Sequence, residues 1–398
     1  MKKEIKSIIN LENLVGIILA LLPLYLIKFV FWGVPLNFLE IMIIGALSWW
    51  LAEKRWRHPD WKDFLKNNKF FFILISLVFL GLFLSVFFND NLKAGLGIIK
   101  GWFIFPLALA LMAVDLFRDK KSRALGFFYG SAVGVAFLAL AGYFLGQMTY
   151  DGRLRGIFNS PNYLAMYLSP AILIGLTLAQ NKNVKIKTEN YNLSIKSFYG
   201  LSLVMMLGVL YLTYSYAAWI ALALTMVIIF ILNKKFAVKL AFLVLLLLGA
   251  LFYFQADKSK WADFVSLNER SSLASRSMIW QSAGKLIQDN PFWGVGSGNF
   301  QEKYLEYQKY FPPYLEWAVP HPHNLYLAFY LYAGITGLLA FLLLIFLWMK
   351  KIILQKKETI AIIALGIIIY FLLHGLVDTT YFKNDLAVIF WLAFFLPL

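Results

Sequence analysis

The chain has 398 residues, 61% of them hydrophobic and 15% charged, a formal net charge of +16 and no cysteine. Its apolar residues gather in blocks of about twenty, the length a helix needs to cross bilayer hydrocarbon, so the pattern excludes a soluble domain and predicts a polytopic membrane protein. The blocks are continuous rather than alternating, which excludes barrel strands, and without cysteine there are no disulfides or thiolate metal sites.

In chain order, the basic start Lys2, Lys3 and Lys6 precedes a first span expected over 14–32, with no small-residue cleavage pattern of a signal peptide. A second span follows Gly33 and Pro35, over 36–52, and leads into a basic loop holding Lys54, Arg55, Arg57 and His58. Spans three and four, 70–88 and 95–115, are joined by Asn89-Asp90-Asn91. Arg118, Lys120, Lys121 and Arg123 mark the next basic loop, before span five at 124–147. A polar loop with Asp151, Arg153 and Arg155 precedes span six at 161–180. Spans seven to nine are expected over 199–214, 217–232 and 238–255. A long polar segment, 256–323, comes next, then span ten at 324–348, span eleven at 359–376, a small loop around Asp378 and span twelve at 385–397.

The predicted fold is therefore all-α, with about 12 transmembrane helices. It divides into helices one to nine (1–255), one large, partly helical loop (256–323) and helices ten to twelve (324–398). Most of the 37 lysines and arginines fall at the N-terminus and in alternate short loops, which places those loops in the cytoplasm by the positive-inside rule. Both termini are then cytoplasmic and the large loop extracytoplasmic. The basic excess is explained by topology and anionic lipid headgroups, and no nucleic-acid partner is expected. Within the loop, Met278, Ile279, Ala283, Leu286 and Ile287 recur at helical spacing, Pro291 ends that helix, and Gly294-Val295-Gly296-Ser297-Gly298 makes tight turns.

Charge held at a membrane boundary is expensive and points to function. On the predicted outer face stand Arg153, Arg155, Arg270, Arg276, His321, His323 and Asp378. Arginines grip a phosphate or diphosphate bidentately, and a histidine titrating near neutrality accepts a proton from a hydroxyl, a combination that suits transfer from a lipid-diphosphate donor. Bland readings stand beside this one. Arg153 and Arg155 also fit headgroup contacts, Arg276 a solvated helix face, and His321-Pro322-His323 a metal pair, although no third ligand is evident and no metal is expected. No cofactor is expected. His374 reads as a packing residue and His58 as unrelated to the site.

Taken together, these motifs resemble the O-antigen ligase and polymerase superfamily, polyprenyl-diphosphate-dependent membrane glycosyltransferases. The resemblance rests on Gly152-Arg153-Leu154-Arg155-Gly156-Ile157-Phe158-Asn159-Ser160-Pro161-Asn162, on Ser275-Arg276 with Trp280, and on Asn290-Pro291-Phe292-Trp293-Gly294. It rests also on His321-Pro322-His323-Asn324-Leu325-Tyr326 followed by Gly334 and Gly337. It implies metal-independent glycosyl transfer from an undecaprenyl-diphosphate-type carrier in a bacterial cytoplasmic membrane. His323 would activate the acceptor hydroxyl, Arg153, Arg155 and Arg276 would hold the donor diphosphate, and His321, Asn324, Asn162 and Asp378 would support them. One departure is Ser215-Tyr216-Ala217, where many members carry an arginine at the tyrosine position. The partners expected are a lipid-linked glycan, membrane lipids, and a glycan, lipid or protein acceptor. Ligase, polymerase and protein O-oligosaccharyltransferase stay open. The competing class is a flippase or transporter, whose polar residues would instead sit at mid-membrane depth.

Overall fold

In a computed structural model, residues 10–89, 92–180, 189–233, 237–255, 272–312, 319–355 and 358–398 are described. Among them the chain is a bundle of helices with a single two-stranded sheet. Among the described residues, five helical stretches are long and apolar enough to cross a membrane: Lys69–Phe87, Leu92–Leu116, Arg118–Phe144, Pro161–Ala179 and Leu325–Leu354. Shorter apolar helices lie where the other spans were expected, among them Phe38–Ala52, Thr359–His374 and Asn384–Phe395. The protein is thus an all-α membrane protein, as its hydropathy predicts.

The centre of the bundle is Asn384–Phe395, whose residues from Asp385 to Phe395 are all buried, beside the almost equally buried Thr359–His374. The linker between them, 375–383, therefore emerges from the middle of the bundle at the end that carries the helix Ser272–Asp289. This loop end is where the candidate residues collect. The opposite end is tied by ion pairs such as Arg55 to Asp115 at 2.9 Å and Lys120 to Glu12 at 3.4 Å.

The most extensive helix pairing joins Lys69–Phe87 to Leu325–Leu354. Small residues permit it: a Cβ on Gly81 would come within 2.4 Å of the Ala333 carbonyl and 2.7 Å of the Gly337 nitrogen. Just before that contact the long helix is broken at Gly334, with φ +66° and ψ −174°. The backbone groups freed there are taken up by the glycine-rich turn. Val295 and Gly296 donate N–H bonds to the Leu331 carbonyl at 2.9 and 3.1 Å, and Ile335 donates to the Phe292 carbonyl at 3.1 Å. The Gly294 to Gly298 stretch is thus a plug seated in a broken helix, which is more than the tight turns expected of it.

Several expected boundaries are corrected. The first span does not run to residue 32: the helix Leu11–Ala20 and a 3₁₀ turn Leu22–Leu26 end it, and Lys28–Phe31 and Val34–Asn37 fold back as an antiparallel hairpin. Trp32 and Gly33 both take positive φ, 49° and 75°, the two-residue turn whose twist matches paired strands. An apolar run does not by itself distinguish a buried helix from such a strand, and that is why the hairpin went unread. The second helix accordingly starts at Phe38, capped by the Asn37 side chain on Glu40 N–H at 2.9 Å. A short helix, Pro59–Asn67, lies in the basic segment read as loop. The fourth span contains a π-helical turn at Lys100–Ile104, the seventh helix begins at Glu189, and the tenth continues to Leu354, past Lys350 and Lys351.

Candidate functional site

Local sequence sets His323 at a strained corner. Pro320 and Pro322 keep the preceding backbone out of helix. Asn324 then starts one, its side chain accepting from the N–H groups of Tyr326 and Leu327 at 2.9 and 3.0 Å. Between these constraints His323 adopts φ +44°, a conformation that costs a non-glycine residue roughly 1–3 kcal/mol. Surrounding bonds enforce it. Trp280 Nε1 donates to the carbonyls of Pro322 and His323 at 3.1 and 3.3 Å, Leu325 N–H to Gly375 O at 2.7 Å, and Asn324 Nδ2 to Leu376 O at 2.8 Å.

The corner turns the imidazole onto Asp378. His323 Nδ1 lies 3.1 Å from Asp378 Oδ1, with the carboxylate side chain only 2% exposed and the imidazole 32% exposed. An ionised carboxylate only accepts, so Nδ1 is the donor of this bond. Burial pushes the Asp378 carboxyl up, but the charge and hydrogen bond of His323 and the charge of Arg276 outweigh it and hold the group well below the usual carboxylate range. Thr379 N–H also donates to Asp378 Oδ1, at 2.8 Å.

One arginine reaches the same carboxylate directly and a second through an amide. Arg276 Nη2 is 3.6 Å from Asp378 Oδ2, while its Nε donates to Val377 O at 2.8 Å and its Nη1 bonds the Ser272 hydroxyl. Arg153 reaches the carboxylate through an amide: its Nη2 donates to Asn162 Oδ1 at 2.6 Å, and Asn162 Nδ2 faces Asp378 Oδ2 at 3.4 Å. Arg153 is placed by its loop, where Leu154 N–H bonds Leu212 O at 2.9 Å and Arg153 Nε donates to Thr213 O at 2.8 Å. Burial lowers the Arg153 pKa, and the neighbouring Arg276 charge adds to that lowering. Two guanidiniums close enough to repel each other share one buried carboxylate, an arrangement that a bound anion relieves.

The structure thus brings together His323, Asp378, Arg276, Arg153, Asn162 and Asn324 from four separate stretches of chain. It sets Arg155 apart, exposed at the surface of the same loop. Arg270 lies outside the described residues. His321 points elsewhere. Its Nδ1 is 3.2 Å from the Tyr332 hydroxyl and its ring packs on Trp102, with centroids 5.5 Å apart. Extended backbone would put the two histidines on one side, but the positive φ at His323 sends their rings to different partners, against the metal-pair reading. Burial, aided by the charges of His323 and Lys383, lowers the His321 pKa to about 3. Tyr216, where the family pattern has arginine, packs its ring on Trp219 and Phe252 and has Arg153 among its electrostatic neighbours.

Lys383 went unread in the sequence. Its ammonium stands 3.4 Å from the centroid of the Tyr163 ring, its charge acts on His321, and the Asp378 charge acts on it. The signal available was a lone lysine five residues after Asp378, in a loop otherwise poor in charge.

Residues 201–342 match the family model described as O-antigen ligase, and the resemblance carried by the motifs is shown over that stretch. It contains Arg276, His321, His323 and Asn324, whereas Arg153, Asn162 and Asp378 lie outside it and join them in space. None of the curated proteins matches the chain. The matched stretch covers about a third of the chain and is similar to O-antigen ligases.

Proposed function

We propose that the protein transfers a glycan from an undecaprenyl-diphosphate-type carrier to an acceptor hydroxyl at the outer face of the cytoplasmic membrane, in the manner of an O-antigen ligase or polymerase. The observation that carries this reading is the pairing of a half-open imidazole with a buried carboxylate to which two arginines also converge. The acceptor O–H gives its proton to His323 Nε2 as its oxygen bonds the anomeric carbon. The bond from that carbon to the diphosphate oxygen breaks, and the lipid diphosphate leaves with the electron pair. Arg276 and Arg153 neutralise the charge that develops on the leaving group, and Asp378 stabilises the imidazolium. Arg155, exposed on the same loop, would meet the outer part of the donor. No nucleotide or metal takes part in this scheme. About twelve spans, both termini in the cytoplasm and the loop end outside complete the proposal.

The test compares lipid-linked glycans in cells carrying wild-type protein and in cells carrying His323→Ala. Loss of a general base lowers the rate by about 10²–10⁴-fold, so polyprenyl-linked glycan accumulates, as single units for a polymerase and as long chains for a ligase. Normal lipid-linked pools and normal surface glycan in the variant would refute the assignment.

A further inference from the structure

At the loop end, the β-hairpin, the stretch Leu92–Ile99 with its π-helical turn, and Asn384 enclose a groove of about 660 Å³. Its walls are largely apolar, with Phe29, Leu36 and Ile98 among them, yet Lys28, Lys93 and Lys100 also line it. Lys100 is balanced by Glu40, 2.9 Å away, and donates to Pro35 O at 2.7 Å. Lys28 and Lys93, both exposed, leave the groove with an excess of positive charge. The hairpin beside it presents Val30, Phe31, Trp32 and Val34 outward, Trp32 being 91% exposed. An apolar tip led by tryptophan belongs at the headgroup level of a bilayer, where that amphipathic ring partitions. The groove therefore combines chain-like walls, positive charge and headgroup depth.

We propose that this groove binds one anionic phospholipid, its phosphate between Lys28 and Lys93 and part of an acyl chain against Phe29, Leu36 and Ile98. Lysine is a compact point charge suited to a phosphodiester, whereas the planar fork that grips a diphosphate on two sides is found at Arg153 and Arg276. The two anion sites are therefore of different kinds. They are also close to one another. Trp102 lines the groove and its ring packs on His321, two residues before His323, so the bound lipid lies one side chain from the histidine segment. This site does not depend on the transfer reaction being the one described above.

The experiment uses the full chain in phosphatidylcholine nanodiscs doped with photoactivatable phosphatidylglycerol, and, separately, with the same label on phosphatidylcholine. Crosslinks are mapped by mass spectrometry. Expected is labelling of 28–37 and 93–102 by the anionic lipid at least about fivefold above the zwitterionic one, and a loss of about tenfold or more in Lys28→Glu/Lys93→Glu. Lys28→Gln/Lys93→Gln, which removes charge without reversing it, gives an intermediate loss. Equal labelling by the two lipids, or unchanged labelling in both variants, would overturn the site. Displacement of the label by polyprenyl phosphate more effectively than by unlabelled phosphatidylglycerol would overturn it too, since the groove would then be the carrier's.

Discussion

Asp378 organises the candidate site because His323, Arg276 and Asn162 all face its carboxylate. Arg276 approaches it within 3.6 Å and His323 within 3.1 Å, so a change at one of them is felt by the other. Arg276→Lys keeps the charge but removes the fork that spans Val377 O, Ser272 and Asp378 together. Donor KM should rise roughly tenfold while the acceptor KM is unchanged, read from initial rates at varied donor, and an unchanged donor KM would remove Arg276 from the diphosphate site. His321 allows a second test. Its folded pKa of about 3 lies below the ordinary 6.5, so it contributes stability that is complete above about pH 6.5 and is lost as pH falls from there toward 3. The melting temperature of detergent-solubilised protein should therefore fall from pH 7 to pH 4, and the fall should be shallower in His321→Gln. Parallel curves would show that the buried imidazole does not supply this dependence. These roles were only partly legible in sequence. His323, Arg153 and Arg276 stood out because charge and imidazole are rare beside apolar blocks. Where each ring points was not legible from spacing, because it follows from a backbone angle that the bonds of Trp280 and Asn324 impose.

At the scale of elements, the sequence spoke clearly through helix length and poorly through helix defects. Apolar blocks gave several helices, such as Phe38–Ala52 and Asn384–Phe395, to within a few residues, since burial in lipid demands continuous hydrophobicity, but missed the end of the first and the start of the seventh by about ten. The hairpin at 28–37, the π-helical turn at Lys100 and the break at Gly334 left little trace, because each replaces helical hydrogen bonds with partners distant in the chain. Gly334 is the most exposed to test. Its φ is +66°, and a Cβ there would come within 2.3 Å of the Phe292 carbonyl. Gly334→Ala is expected to destabilise the protein by about 1–3 kcal/mol, measured as a lower melting temperature. Gly97→Ala, whose Cβ meets nothing within 4 Å, is the matched control and should be near neutral. Equal melting temperatures for the two variants would mean that the break relaxes without cost.

For the whole molecule, the distribution of lysine and arginine makes one demand, namely that the two ends of the bundle face different compartments. The absence of cysteine makes it easy to examine, because any introduced thiol is the sole one. Glu302→Cys, exposed at the loop end, should react with an impermeant maleimide added to intact spheroplasts. His58→Cys, exposed at the basic end, should react only after permeabilisation. The opposite pattern would place the candidate site in the cytoplasm, away from the face where the proposed transfer occurs. The same view of the bundle gives the break at Gly334 a mechanical meaning. Residues 325–333 form a strut clamped at both ends, by Gly375 and Leu376 on one side and by the seated turn at 292–296 on the other. The seated turn and the histidine corner are thus the two anchorages of one short helical segment.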